Sequence, residues 1–252
     1  MFEPGRASFI PYIMAGDPDL ATTRAIAAAL TRAGAAAIEL GIPYGDPLAD
    51  GPTIAAAGQR ALANGTRIAD VLTLAKQIRD DGGAPLVIFT YVNPILQYGI
   101  DRFVADAAAA DVAGAIVPDL PLEESGELRA AFAKHGLIFP MLVAPSTPRE
   151  RAKRLAEAST GFVYVVSRLG VTGAGSEPDF SPVRKQLAML REVTDMPLAV
   201  GFGISKPEHV AEIAPIADGI IVGSAIIDAY AGTAGEAAAR SVEAFVRSLS
   251  LS

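Results

Sequence analysis

The chain has no cysteine, only two histidines in 252 residues, and fewer basic than acidic side chains, 21 against 28. The missing cysteines exclude a disulfide framework, a thiol nucleophile and a zinc–thiolate centre. The histidines are His135, near a predicted helix end before Gly136, and His209, inside a predicted helix. Both read as surface residues, which argues against a histidine-rich metal site and leaves only carboxylate ligation open. The acidic balance, with no basic stripe interleaved with aromatics, disfavours nucleic-acid binding. No apolar run is long enough to span a membrane, and the opening "MFEPGRASFIPYIMAG" lacks the regions of a signal peptide. A cytoplasmic protein is expected.

Lysine is missing from the places where an imine-forming enzyme needs it. Lys76, Lys134, Lys153, Lys185 and Lys206 all fall in helical or helix-start segments, none at a strand end, so a Schiff-base aldolase is disfavoured. A break in composition is missing as well. No Gly/Ser/Pro linker divides the chain, which therefore reads as one domain over 1–252.

What is present is apolar and regular, with 51% hydrophobic residues. Short β-rich runs alternate with amphipathic segments: "SFIPYIMAG" (8–16), "AAIELGIP" (36–43), "PLVIFTYVN" (85–93) and "GAIVPDL" (114–120) come first. "LIFPMLVAP" (137–145), "GFVYVVS" (161–167), "PLAVGFGI" (197–204) and "GIIVGSAI" (219–226) follow. Eight strands, each followed by a helical stretch, predict an α/β protein built as a (β/α)8, or TIM, barrel. A doubly wound sheet is the structural alternative, but "MAGDPDLA" lacks the GxGxxG of its first turn. Two connections are long: 43–66, with a short extra helix near 53–63, and the glycine-rich 168–180. Long loops at the C-terminal rim of a barrel are where function is placed.

In "AIELGI", Ile38, Leu40 and Ile42 share one strand face, and Ala37, Glu39 and Gly41 the other. The large aliphatic face belongs against the helices, so Glu39 is expected to point into the barrel near its upper end. A carboxyl there is desolvated, its pKa rises, and it can give and take a proton near neutrality. Asp46, before Pro47, and Asp50, before Gly51 and Pro52, read on their own as turn residues. At the other side of the mouth, "VGFGIS" and "IVGSAI" end strands seven and eight with glycines, and Ser224 adds a hydroxyl. Backbone N–H groups at such a corner suit a phosphate. Tyr91 and Tyr164 lie nearer the rim than Phe162, which reads as core, and aromatic rings with polar tips suit a flat ligand.

The segments "FIPYIMAGDPD", "ELGIPYGDPLADGPTI", "FTYVNP", "VPDLP", "FVYVVSRLGVTGAG", "VGFGIS" and "IVGSAI" span nearly the whole chain. In that order they resemble the α subunits of tryptophan synthase. The resemblance implies a lyase that splits indole-3-glycerol phosphate into indole and glyceraldehyde 3-phosphate, with Glu39 as catalytic acid/base and Asp50 as the second carboxylate, beside the indole N–H. It thereby replaces the turn reading of Asp50. It implies Phe89 and Tyr91 near the indole, Tyr164 near the glycerol phosphate, and Gly173, Phe202, Gly203, Gly223 and Ser224 around the phosphate, with Thr172 in a closing loop. It further implies a β subunit that carries pyridoxal phosphate (PLP) and receives the indole in an α2β2 assembly. Pro43, Asp46 and Pro47 would lie in the docking rim, and this chain would carry no cofactor. Two departures stand out: Gly45 where a serine is common, and few residues ahead of "GRASFIP", which predicts a more exposed barrel floor. Rival readings are a stand-alone lyase of the same family, a metal-dependent sugar-phosphate epimerase and a non-catalytic activator of the partner.

Overall fold

The computed structural model describes residues 1–2, 5–166, 179–201 and 203–249. Each apolar run contributes a strand: β1 (Ser8–Met14), β2 (Ile38–Gly41), β3 (Leu86–Phe89), β4 (Val112–Ile116), β5 (Leu142–Val143), β6 (Val163–Val166), β7 (Leu198–Gly201) and β8 (Gly219–Val222). All pair in parallel, in the order β4-β3-β2-β1-β8-β7-β6-β5. The two ends of that order meet at a single bridge between Gly114 and Ile138. There the Ile138 N–H donates to the Ala113 carbonyl at 2.9 Å and the Ala115 N–H to the Ile138 carbonyl at 3.1 Å. The sheet is thus closed into the expected (β/α)8 barrel. A Cβ on Gly114 would stand 2.1 Å from the Ile138 carbonyl oxygen, so the crossing requires glycine.

The outer layer consists of α1 (Leu20–Arg32), α3 (Ile68–Asp80), α5 (Ile100–Ala109), α6 (Gly126–Lys134), α7 (Arg149–Ala158), α8 (Ser181–Arg191), α9 (Pro207–Ile213) and α11 (Gly235–Ser248). Helix α3 shows why these segments are helical: Val71, Leu74, Ala75 and Ile78 recur on one face and are buried, while Lys76 and Asp80 pair on the other. Three strands are followed by an additional helix on the way to the outer layer: α2 (Pro52–Ala63), α4 (Val92–Tyr98) and α10 (Ser224–Tyr230). Pro52 opens α2, where a missing N–H costs nothing.

The strands are shorter than the apolar runs or shifted within them, and three of the differences have a clear cause. β5 keeps only two residues of a nine-residue apolar run, because Pro140 cannot donate to a ladder. β4 begins at Val112, directly after Asp111, whose φ of 57° turns the chain into the strand. The run 219–226 is not strand to its end, because the backbone becomes helical at Ser224. On the barrel floor the Phe2 ring packs on Phe162 with centroids 5.5 Å apart, and Phe162 is fully buried. The floor expected to be exposed is therefore covered at this point by Phe2. No described helix is long and apolar enough to cross a membrane.

Candidate active site

Ile38 and Leu40 of β2 are fully buried beneath the helices, so the alternation turns Glu39 into the barrel. Its neighbour across the β1–β2 pairing is Tyr12. Glu39 is 1% exposed, and its Oε1 has no hydrogen-bond partner. Burial pushes its carboxyl well above the ordinary carboxylate range, which holds it neutral. An unpartnered acid at a cavity wall is costly for the fold and useful for chemistry.

Glu39 lines a cavity of about 450 Å³, mouth included, together with Tyr12, Asp50, Ile54, Phe89, Tyr164, Gly203, Ile221, Gly223 and Ser224. Gly41 and Gly201, at the ends of β2 and β7, make room for the tyrosines. A Cβ on either would fall 2.2 Å from the hydroxyl of Tyr12 or Tyr164, respectively. Tyr12 also meets Phe89 edge-on, with centroids 5.7 Å apart.

Asp50 reaches this cavity from the loop ahead of α2, and Tyr91 holds it there. The Tyr91 hydroxyl accepts from the Ala49 N–H at 2.9 Å, which fixes the backbone beside Asp50 and brings the phenol close enough to favour the charged Asp50 carboxylate. Tyr44 packs on the Tyr91 ring with centroids 5.3 Å apart, and its hydroxyl accepts from Asn93 at 3.2 Å. The Asp50 N–H donates to the Pro47 carbonyl at 3.1 Å, so the expected turn is present. Partial burial raises the Asp50 pKa to about 6, while the Tyr91 hydrogen bond acts against that rise. One cavity therefore holds a fully buried carboxyl pushed toward its neutral form and a partly buried one that titrates lower, at about 6.

The third corner is backbone. Gly203 has φ +82°, a left-handed conformation that suits glycine, and Gly223 precedes Ser224, the first residue of α10. Of the residues expected in the site, Glu39, Asp50, Phe89, Tyr164, Gly203, Gly223 and Ser224 meet in this cavity. Tyr91 stands behind Asp50 rather than in the lining. Thr172, Gly173 and Phe202 lie outside the described residues. On the rim, Pro43 is buried, Pro47 half-buried and Asp46 exposed, beside Leu48, which is 78% exposed.

Sequence reasoning missed Tyr12. The period-two argument applied to Glu39 also turns Tyr12 inward, but an aromatic in an apolar run reads as core. His209 corrects an expectation: it is buried rather than on the surface, packs on Phe180 and accepts the Ser205 N–H at Nδ1, 3.2 Å away. Among the described residues no group of three or more histidine, cysteine or acidic side chains is arranged to hold a metal.

A closed parallel barrel whose mouth cavity holds two carboxyls with raised pKa values, beside a glycine corner, has the architecture of a (β/α)8 enzyme. A family model described as "Tryptophan synthase alpha chain" matches residues 1–250. The tryptophan synthase alpha chain of Gloeobacter violaceus is 51% identical over 243 residues, covering 96% of this chain and 88% of that protein. The corresponding chain of Picosynechococcus is 49% identical over 249 residues, covering 98% and 94%. Among solved structures, tryptophan synthase from Mycobacterium tuberculosis superposes with a TM-score of 0.88 at 40% identity, covering 97% of this chain and 91% of that one. A mutant tryptophan synthase α-subunit from Pyrococcus furiosus gives 0.89 at 37%, covering 99% of each chain. The chain belongs to the tryptophan synthase α chain family.

Proposed function

We propose that this chain carries out the lyase reaction of its family, with Glu39 and Asp50 as the working carboxyls. Indole-3-glycerol phosphate is cleaved to indole and glyceraldehyde 3-phosphate in tryptophan biosynthesis. The bond that breaks joins indole C3 to the first carbon of the glycerol chain, and its electrons need a sink. Neutral Glu39 makes one by donating its proton to C3, which leaves an iminium at the ring nitrogen. Ionised Asp50 accepts the ring N–H hydrogen bond and offsets the positive charge. Glu39, now a carboxylate, takes the proton from the hydroxyl on that first carbon. The carbon–carbon bond opens, its electron pair neutralises the iminium, and the departing fragment is the aldehyde. Glu39 ends protonated, so the cycle closes without a lysine imine.

The observation that carries this reading is the pair itself: two carboxyls lining one cavity, the fully buried one pushed further toward its neutral form than the partly buried one. Phe89 and Tyr12 offer an aromatic wall to the indole. Tyr164 faces the glycerol phosphate, and Gly203, Gly223 and Ser224 offer donors to the phosphate. Gly173 and Phe202 are assigned to that corner, and Thr172 to the closing loop, by motif alone. Holding the substrate in one orientation supplies much of the remaining acceleration.

The partner is a β subunit that consumes the indole and holds pyridoxal phosphate, in a cytoplasmic α2β2 assembly docked on the rim around Pro43, Asp46 and Pro47. Indole release from indole-3-glycerol phosphate, assayed with the chain alone and then with a β subunit, tests the proposal. Slow release that the partner stimulates is expected. High unstimulated turnover would leave a stand-alone lyase, and no indole under either condition would defeat the lyase reading.

A further inference from the structure

Helices α2 and α10 both present their first turn to the cavity, through Ile54 and Ser224, and there they nearly touch. A Cβ on Gly223 would lie 3.6 Å from Ile54 Cδ1. Their far ends converge on one carboxylate. Asp17, in the turn after β1, is 1% exposed. It accepts two hydrogen bonds from Arg60, Nε to Oδ1 at 2.7 Å and Nη2 to Oδ2 at 2.8 Å. The Tyr230 hydroxyl donates to the same Oδ2 at 2.9 Å. Arg60 lies in the last turn of α2, and Tyr230 is the last residue of α10.

The turn that carries Asp17 is itself locked. The Asn64 side-chain amide, capping α2, donates to the carbonyls of Gly16, at 3.4 Å, and Pro18. The Gly16 N–H donates to Thr23 Oγ1 at 3.0 Å, and a Cβ on Gly16 would collide with Thr66. Asp17 is buried while Arg60 stays half-exposed, and such a pair is a poor source of net stability, because desolvating the carboxylate and screening at the arginine consume much of the attraction. A forked arginine on a carboxylate is, by contrast, a strong source of geometry. The mechanism above uses neither Asp17 nor its partners, yet the two elements they join carry opposite sides of the site.

We propose that Asp17 is a positioning residue: through Arg60 it holds α2, and with it Asp50, and through Tyr230 it holds α10 and the Gly223–Ser224 corner, at the separation the substrate spans. The inference rests on the lyase reading for its kinetic consequences and on the geometry alone for its mechanical ones.

Three variants of the full chain, assayed with the β subunit present, test it. Tyr230→Phe frees α10 only and is expected to raise KM for indole-3-glycerol phosphate about fivefold with kcat within about twofold. Arg60→Gln frees α2 only and is expected to lower kcat about tenfold with KM within about twofold, since a misplacement of about 1 Å costs up to about 100-fold. Arg60→Lys, which keeps the charge without the fork, is expected to fall between wild type and Arg60→Gln. Hydrogen exchange on the same proteins is the arm that needs no activity. Tyr230→Phe is expected to speed exchange across 224–230 and Arg60→Gln across 52–63, each leaving the other helix protected. Wild-type kcat and KM with only a lower Tm, or equal changes in both helices, would overturn the inference. Selective exchange in a chain that releases no indole would keep the brace and remove the lyase reading instead.

Discussion

Burial with no hydrogen-bond donor on Oε1 pushes Glu39 toward its neutral form, whereas Asp50, partly buried and near the Tyr91 hydroxyl, is raised only to about 6. Activity that needs ionised Asp50 must therefore fall as the pH drops through about 6, giving kcat/KM an acid limb there. The Tyr91 hydroxyl stabilises the charged form, so Tyr91→Phe is expected to move that limb to higher pH; an unmoved limb would show that the bond does not tune Asp50. Glu39 also leaves a mark on stability. Its folded pKa lies above its unfolded one, so the associated stability is complete below about pH 4 and is lost as the pH rises toward the folded value. Glu39→Gln stays uncharged throughout, and its Tm is expected to exceed wild type by a margin that grows from pH 4 upward. A margin independent of pH would contradict this. Glu39 was legible because strand alternation depends on nothing but its immediate neighbours. Asp50 was not, because Pro47, Gly51 and Pro52 describe only a turn, and the tyrosine that aims Asp50 sits at the end of the next strand. Tyr12 was hidden for a related reason, since a buried ring and a cavity-lining ring leave the same pattern in sequence.

Among the elements, the apolar runs located every strand but overstated several, since a run marks what is buried rather than what is paired. LIFPMLVAP is mostly buried or half-buried, yet Pro140 leaves β5 only Leu142–Val143. The sheet closes instead at Ile138, against a glycine that no local pattern singles out. Gly114→Ala forces a Cβ onto that carbonyl and is expected to cost about 1–3 kcal/mol, read as a lower urea midpoint. An unchanged midpoint would mean that the seam relaxes freely. Helix α2 was legible from Pro52 at its start, whereas α10 was hidden inside what reads as the end of β8. The clamp that joins the two is invisible in sequence, because Asp17, Arg60 and Tyr230 come from three distant segments.

For the whole molecule, eight alternations were enough to announce the barrel, because each strand is adjacent to its sequence neighbour and little long-range pairing has to be guessed. The rim is less self-evident. Leu48 is 78% exposed and Leu96 55%, and in the proposed assembly a β subunit docked on the rim would cover Leu48. Asp46→Ala, on the same rim, is expected to weaken stimulation by the β subunit while leaving unstimulated indole release within about twofold. Equal stimulation of both proteins would move the docking face elsewhere. The proposed reaction turns on a single proton held by a buried carboxyl in the barrel mouth. Indole release by Glu39→Gln, at saturating indole-3-glycerol phosphate and with the β subunit present, tests that directly. A loss of about 100-fold or more with the fold intact is the result this account predicts, in line with the usual worth of a positioned acid/base. Indole released at the wild-type rate would contradict it.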